Sequence, residues 1–359
     1  MPSVLIVENC PTSSALIREI LESDSRIEVI GEVGNGFEAL KVVDELDPDI
    51  ITMDINMPVM DGLEATGRIM DMSPRPIVIL SASYELDSVY TAFQAVNAGA
   101  LAATAKPTDT GGREFERDME DLIKTVLLLS EVPVARKPLT PASPEAPQTP
   151  AVSESLITRR YGERNESIVA IAAGEGGPPA LREFLRNMPP NIPAPVLVVQ
   201  HMSHKFTPGF ASWLAEETGL SVTVAVGGEV TQAGHVYVAP EDHHLILTED
   251  DCLELVNATD DSTCCPAADV LFNSVHRHHP PNSIGVVLSG TGSDGAHRLR
   301  EMKEDGAMTF VQDANSCLVA DMPCEAIRKG GAISVLPPRL IARSVAQCLG
   351  MAPIQAPTG

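Results

Sequence analysis

Short, unbroken runs of apolar residues recur along this chain, each followed by a stretch with the period of an amphipathic helix. Val4 to Val7 is the first such run, and Leu16, Ile17, Ile20 and Leu21 mark the helix behind it. Asp49 to Ile55, Pro76 to Leu80 and the residues before Lys106–Pro107 repeat the strand signal, and a helix from about Glu114 to Leu129 closes the series. A strand that is apolar along its whole length must be covered on both faces. The runs therefore predict a parallel sheet flanked by helices. From Glu131 to Ser155 the periodicity stops: prolines stand at 133, 138, 141, 144, 147 and 150, with almost no large apolar side chains. Such a segment cannot bury enough surface to offset its ordering entropy, and it predicts a semi-extended linker over 130–160. The expected domains are then 1–129 and 161–352, with a short tail, 353–359.

The strand and helix alternation resumes at Ile168–Ala172 and continues through Val196–Gln200 and Ile284–Leu288, which predicts a second, doubly wound and mostly parallel α/β domain. His235–Ala239 and His243–Thr248 alternate in polarity and predict antiparallel additions. Pro178 and Pro179 follow the turn Gly174-Glu175-Gly176-Gly177, where the first turn of a helix needs no N–H donor. Composition agrees with two packed domains: 359 residues, 44% hydrophobic and 21% charged. A formal charge of −24 argues against nucleic acid and against anionic membrane surfaces, both of which select clustered Lys and Arg. The seven cysteines include no Cys-x-x-Cys pair, so neither a zinc site nor a disulfide framework is expected. With no long apolar segment and no leader pattern, the expected location is the cytoplasm, with reduced thiols and no membrane insertion.

Polar groups gather where the strands end. Glu8–Asn9 follows the first strand, Asp54 ends the third, Ser81 the fourth and Lys106 the fifth. Carboxylates at one sheet edge suit Mg²⁺, which takes oxygen ligands and keeps waters. A metal and a lysine can together neutralise charge during phosphoryl transfer to an aspartate. This ordered set, MDINMPVMDG with Ser81 and Lys106–Pro107, resembles a response-regulator receiver, and so implies a five-stranded parallel, flavodoxin-like fold. The resemblance makes Asp54 the phosphoacceptor and Glu8, Asn9, Asp54 and the Asn56 carbonyl the Mg²⁺ ligands. It makes Ser81 and Lys106 the groups that sense the phosphoryl. Asn9 stands where the family usually has aspartate, which implies weaker Mg²⁺ binding. Ala103 stands where receivers usually place a switch aromatic.

The second half carries VAIAAGEGGPPAL, VLVVQHM with FTPGFA, GHVYVAP, ADVLF, LSGTGSDGA and VQDANS with MPCEAI, in that order. From Ile168 to about Gly350 it resembles the catalytic domain of CheB-type chemotaxis methylesterases. The resemblance implies hydrolysis of methyl esters on receptor glutamates, and deamidation of receptor glutamines, under receiver control. It implies methyl-accepting chemotaxis receptors as substrates and a chemotaxis histidine kinase as phosphodonor. That chemistry needs a serine nucleophile, a histidine base, an orienting aspartate and oxyanion donors. His201 matches the base and Asp294 the orienting acid, while the loop at Thr291 and the Gly174–Gly177 turn are the expected oxyanion donors. The family's serine position falls on Gly174, and its following threonine on Glu175. Catalysis is then expected to be impaired, or the domain to be a pseudo-esterase that binds receptors or a kinase. Ser203 and Cys264–Cys265 are the residues that could stand in as nucleophile. His276, His278, His279 and the pair His243–His244 have no partner at ligand spacing and read as surface or terminal features. The Gly174 turn also lacks the G-x-G-x-x-G spacing of a dinucleotide site.

Overall fold

The structure is a computed structural model and describes residues 1–82, 85–108, 111–132, 134, 167–203, 205–258 and 264–351. Most of the expected linker, and all of the tail 353–359, lies outside the described residues. The chain divides into two compact units, residues 1–144 with 203–213, and residues 145–202 with 214–359.

In the first unit, β1 (Ser3–Val7), β2 (Glu28–Val33), β3 (Ile50–Asp54), β4 (Ile77–Ser81) and β5 (Ala102–Ala105) form one sheet, parallel throughout, in the order β2-β1-β3-β4-β5. Between and after them run α1 (Pro11–Glu22), α2 (Gly36–Leu46), α3 (Gly62–Met72), α4 (Leu86–Ala98) and α5 (Arg113–Leu129). Every residue of β3 and β4 is buried, which is why those strands read as unbroken apolar runs. The strand order reverses beside β1, and an open α/β sheet leaves a crevice at the carboxyl ends of the strands at such a point.

In the second unit, β6 (Ile168–Ala173), β7 (Val196–Gln200), β8 (Ser221–Val224), β9 (His235–Val238), β12 (Ser283–Val287), β13 (Met308–Gln312) and β14 (Ser334–Leu336) make a seven-stranded sheet ordered β14-β13-β12-β6-β7-β9-β8. All of its pairings are parallel. One sequence expectation is corrected here: the run at His235 is not an antiparallel addition but joins the parallel sheet between β7 and β8. Val236, Tyr237 and Val238 are all buried, so both faces of the strand are covered and the apparent alternation does not set its pairing. The run at His243 is antiparallel, as β10 (His243–Leu247) pairs with β11 (Leu253–Asn257) in a separate hairpin. His243–His244 therefore opens a strand, and His244 is buried rather than a surface feature. The helices here are α6 (Gly177–Arg186), α8 (Ala268–His278), α9 (Ala296–Glu304), α10 (Asp321–Arg328) and α11 (Pro338–Cys348), while α7 (Thr207–Thr218) groups with the first unit through Trp213 and with this one from Leu214. Helix α6 opens on prolines, as expected. The core of this unit joins Ala170 and Ala172 to Leu197, Val199, Leu271, Phe272, Leu299 and Met322.

Gly62 shows how closely one helix is set against its sheet. Its N–H donates to the Ile55 carbonyl at 2.9 Å, and a Cβ there would lie 2.1 Å from the Asp54 carbonyl oxygen. The Gly62→Ala variant is expected to lose about 1–3 kcal/mol, because backbone rather than a flexible side chain would have to yield. Gly67→Ala, in the same helix with nothing within 4 Å of the added carbon, is expected to gain up to about 1 kcal/mol. Urea denaturation of both checks the pair; equal effects would contradict the packing described.

Candidate functional site

In the first unit the residues singled out from sequence meet at the strand ends. Glu8 follows β1, Asp54 ends β3, Ser81 ends β4 and Lys106 follows β5, and all four are buried. The Lys106 ammonium lies 2.7 Å from Glu8 Oε2 and 2.9 Å from Asp54 Oδ1. Glu8 Oε1 accepts the Cys10 N–H at 2.9 Å, which fixes that carboxylate from the other side. Asn9 and Asn56 are exposed. The donor set of Glu8 and Asp54 carboxylates, an Asn9 amide and a backbone carbonyl is all oxygen and suits a hard cation such as Mg²⁺. With Asn9 neutral, one lysine faces two carboxylates rather than three.

In the second unit the first constraint is a polar scaffold under the strand ends. Gly174, just past β6, donates its N–H to the Ser289 carbonyl at 2.9 Å, and its own carbonyl accepts the Gln200 side-chain N–H at 2.7 Å. Gln200 donates also to the His201 carbonyl at 2.8 Å. The Ser289 hydroxyl lies 2.9 Å from the carbonyls of both Glu175 and Val319, and Gln312 accepts the Ser289 N–H at 2.8 Å. Buried polar groups that satisfy one another in this way fix the loops they belong to. Gly176 sits at φ +73 with Ser289 Oγ 2.7 Å from where a Cβ would be, so the turn requires glycine there.

His201, at the end of β7, and Asp294, in the loop after β12, meet as expected. His201 Nε2 lies 3.0 Å from Asp294 Oδ2. Asp294 is fixed by a helix end: its Oδ2 accepts the Ala268 N–H at 2.6 Å and its Oδ1 the Asp269 N–H at 2.9 Å. Ala267 provides no side-chain cap for α8, so this distant carboxylate satisfies its orphan donors. Asp269 returns the arrangement, accepting the Arg298 N–H in the first turn of α9 at 3.1 Å. Burial opposes charge on Asp294, but the His201 contact and the Asp269 and Ala268 N–H groups hold its carboxyl below the usual range. Burial likewise opposes charge on His201, but hydrogen bonds with Asp294 and Cys264 and the nearby carboxylate raise it to about 10.

Three features were not legible beforehand. The Glu175 carboxylate accepts from the Thr291 hydroxyl and lies 3.4 Å from the Thr291 N–H. An N–H expected to be an oxyanion donor is thus already facing a carboxylate. Cys264 brings its sulfur to 3.5 Å from Asp294 Oδ2, whereas Ser203 groups with the first unit. His244 accepts the Ala267 N–H at 3.1 Å, and burial depresses its pKa. The signal for Glu175 was its place directly after Gly174; that for Cys264 was its loop just ahead of ADVLF. A Cβ built at Gly174 would lie 3.1 Å from Gly290 Cα and 3.5 Å from the Thr291 nitrogen, and the glycine does not occupy the left-handed region. A side chain at 174 is therefore sterically tight but conformationally ordinary. His276 and His279 pair with Asp305 and Asp251 at 2.8 and 2.7 Å, so their contacts are ion pairs or hydrogen bonds with single acids.

The family described as CheB methylesterase matches residues 169–345, and the response regulator receiver domain matches residues 4–112. The protein-glutamate methylesterase/protein-glutamine glutaminase 1 of Syntrophus aciditrophicus is 41% identical over 354 residues, covering 98% of this chain and 99% of its own length. A similarly named protein of Hahella chejuensis is 41% identical over 356 residues, covering 94% of this chain and 96% of its own. Among solved structures, the CheB methylesterase catalytic domain of Thermotoga maritima shares 32% identity at a TM-score of 0.48, covering 52% of this chain and 98% of that one.

Removing Asp294 should expose its double role. Asp294→Ala leaves two N–H donors of α8 without their acceptor and His201 without its partner, and is expected to cost about 3–5 kcal/mol. Asp294→Asn keeps an acceptor oxygen and should cost less. Urea denaturation read by circular dichroism checks the order, and an unchanged Asp294→Ala midpoint would contradict the capping role.

Proposed function

Because this chain belongs to the family of CheB-type protein-glutamate methylesterases, we propose that it is a cytoplasmic chemotaxis adaptation protein whose serine-dependent ester hydrolysis is impaired. Its substrates by lineage are glutamate methyl esters, and related glutamine amides, on methyl-accepting receptors, and its receiver takes phosphate from a chemotaxis histidine kinase. The observation that carries the impairment is at residues 174 and 175. Gly174 offers no group to attack a carbonyl, and the Glu175 carboxylate faces the Thr291 N–H at 3.4 Å. A fixed negative charge there opposes the negative charge an ester oxygen must acquire on attack. Loss of the nucleophile in serine hydrolases costs roughly 10⁶-fold in turnover, leaving about 10³–10⁴-fold over water from binding and oxyanion stabilisation. The alternative, a pseudo-esterase that binds receptors or a kinase, is supported by the same two residues.

In the receiver, Asp54 is the phosphoacceptor. Glu8, Asn9, Asp54 and the Asn56 carbonyl would hold Mg²⁺, which supplies charge neutralisation at the phosphoryl oxygens when bound. Lys106 already bridges Glu8 and Asp54 and is placed to balance the charge that phosphate brings. Ser81, at the end of β4, is the proposed phosphoryl sensor.

Methanol release from methylated receptor membranes tests the esterase reading. The wild-type protein is expected to release no more than a His201→Ala control, and Gly174→Ser combined with Glu175→Thr is expected to raise release by at least about 10²-fold, as a nucleophile and a free N–H return together. Wild-type release that depends on His201 would overturn the impairment. For the receiver, phosphate should enter the wild-type protein but not Asp54→Ala. Asn9→Asp should tighten Mg²⁺ binding about tenfold, since a carboxylate replaces a neutral amide. Equal labelling of wild type and Asp54→Ala, or an unchanged affinity, would sink these assignments.

A further inference from the structure

The His201 and Asp294 pair has a third neighbour that the esterase chemistry does not use. Cys264 Sγ, a His201 ring nitrogen and an Asp294 oxygen all lie within 4.8 Å of one another. His201 Nε2 lies 3.0 Å from Asp294 Oδ2, and Cys264 Sγ lies 3.5 Å from the same oxygen. In a tetrahedral zinc site, metal–nitrogen and metal–oxygen bonds of about 2.0–2.2 Å and a metal–sulfur bond of about 2.3 Å put donor atoms roughly 3.3–3.8 Å apart. The two separations to Asp294 are within a few tenths of an ångström of that range, and the third, between His201 and Cys264, is under 4.8 Å. We propose that His201, Cys264 and Asp294 form a binding site for a borderline-soft divalent cation of the zinc class.

The donor types select the cation. Thiolate and imidazole suit zinc and its transition-metal neighbours, whereas Mg²⁺ and Ca²⁺ want oxygen alone. The surrounding groups orient the ligands as metal sites require. The Ala268 and Asp269 N–H groups hold the carboxylate at 2.6 and 2.9 Å. The His201 backbone is pinned by its N–H to the Ala173 carbonyl at 2.9 Å and by Gln200 on its own carbonyl. The Cys264 loop is anchored where the Ala267 N–H donates to His244. All three ligand residues are only half-buried, which leaves a fourth position open to water. Cys264 binds as thiolate and His201 as neutral imidazole, so the thiol proton and the imidazolium proton at Nε2 both pass to solvent as the cation enters. The proposal goes beyond the lost serine step and does not depend on it, because none of the three ligands is residue 174 or 175.

The test uses the full chain, stripped with a chelator and titrated with Co²⁺ in excess Mg²⁺, which keeps the oxygen-rich receiver site engaged. One equivalent of Co²⁺ should bind with a thiolate-to-cobalt charge-transfer band and the strong visible absorption of a four-coordinate site, and Zn²⁺ should bleach both. Cys264→Ser should abolish the charge-transfer band, Cys10→Ser should leave it intact, and His201→Ala should weaken Zn²⁺ binding at least about tenfold. Should Cys264→Ser fail to fold, protection of Cys264 from iodoacetamide by Zn²⁺, read by mass spectrometry on the wild-type protein, gives the same answer. No uptake by the wild type, a band that survives Cys264→Ser, or alkylation of Cys264 indifferent to Zn²⁺ would overturn the site.

Discussion

The Asp294 carboxylate is the joint on which the second unit's site depends. One side chain satisfies the Ala268 and Asp269 N–H groups at the start of α8 and meets the His201 ring. Asp269, in that same first turn, satisfies an N–H of α9. Two helices that lack local caps are therefore capped by each other's neighbourhoods, and the histidine at the end of β7 is drawn into that arrangement. A carboxylate at a helix N-terminus stays ionised, which in turn favours a positively charged imidazole beside it. The charges of the site are thus set first by the contact between His201 and Asp294 and then by the N–H groups at the start of α8.

The loops around this joint are held by a second set of buried polar groups. Gln200, Ser289 and Gln312 connect the turn after β6 to the loops after β12 and β13. Each is buried at the end of a strand or just past it, where a parallel sheet leaves carbonyls and N–H groups to be satisfied by side chains. This scaffold needs no nucleophile. The turn at Gly174 is positioned by its N–H on the Ser289 carbonyl and by Gln200 on its own carbonyl, and a Cβ at 174 would require Gly290 to give by a few tenths of an ångström.

The fold was legible because both sheets are parallel and doubly covered, which writes strands as unbroken apolar runs. The failure at His235 has the same origin: HVYV is too short for its single polar end to be told from true alternation. The receiver residues were legible because each ends or directly follows a strand in order along the chain. His201 and Asp294 were legible through the motifs that contain them. What could not be read was anything that depends on long-range placement of a side chain. Glu175 reaching Thr291 spans two loops, and Cys264 approaching Asp294 depends on the path of the segment before α8. A search for zinc by Cys-x-x-Cys spacing sees only local pairs, and here the donors come from three separate loops.

The helix-capping role of Asp294 bears on what its presence means. In a serine hydrolase an aspartate beside a histidine is ordinarily taken as a sign of working chemistry. Here the same aspartate terminates the donors of α8 and is enclosed by two helices, so its replacement would be costly even in a protein with no esterase activity. His201, fixed by Gln200 and by the sheet, would be held against it by packing and charge alone. A triad can thus lose its serine and keep its other two members for structural reasons. The His201 and Asp294 pair keeps a polar, charged and partly open corner. The Cys264 thiol lies at that corner, 3.5 Å from Asp294 Oδ2, and the groups that hold the carboxylate there are the backbone N–H donors of Ala268 and Asp269.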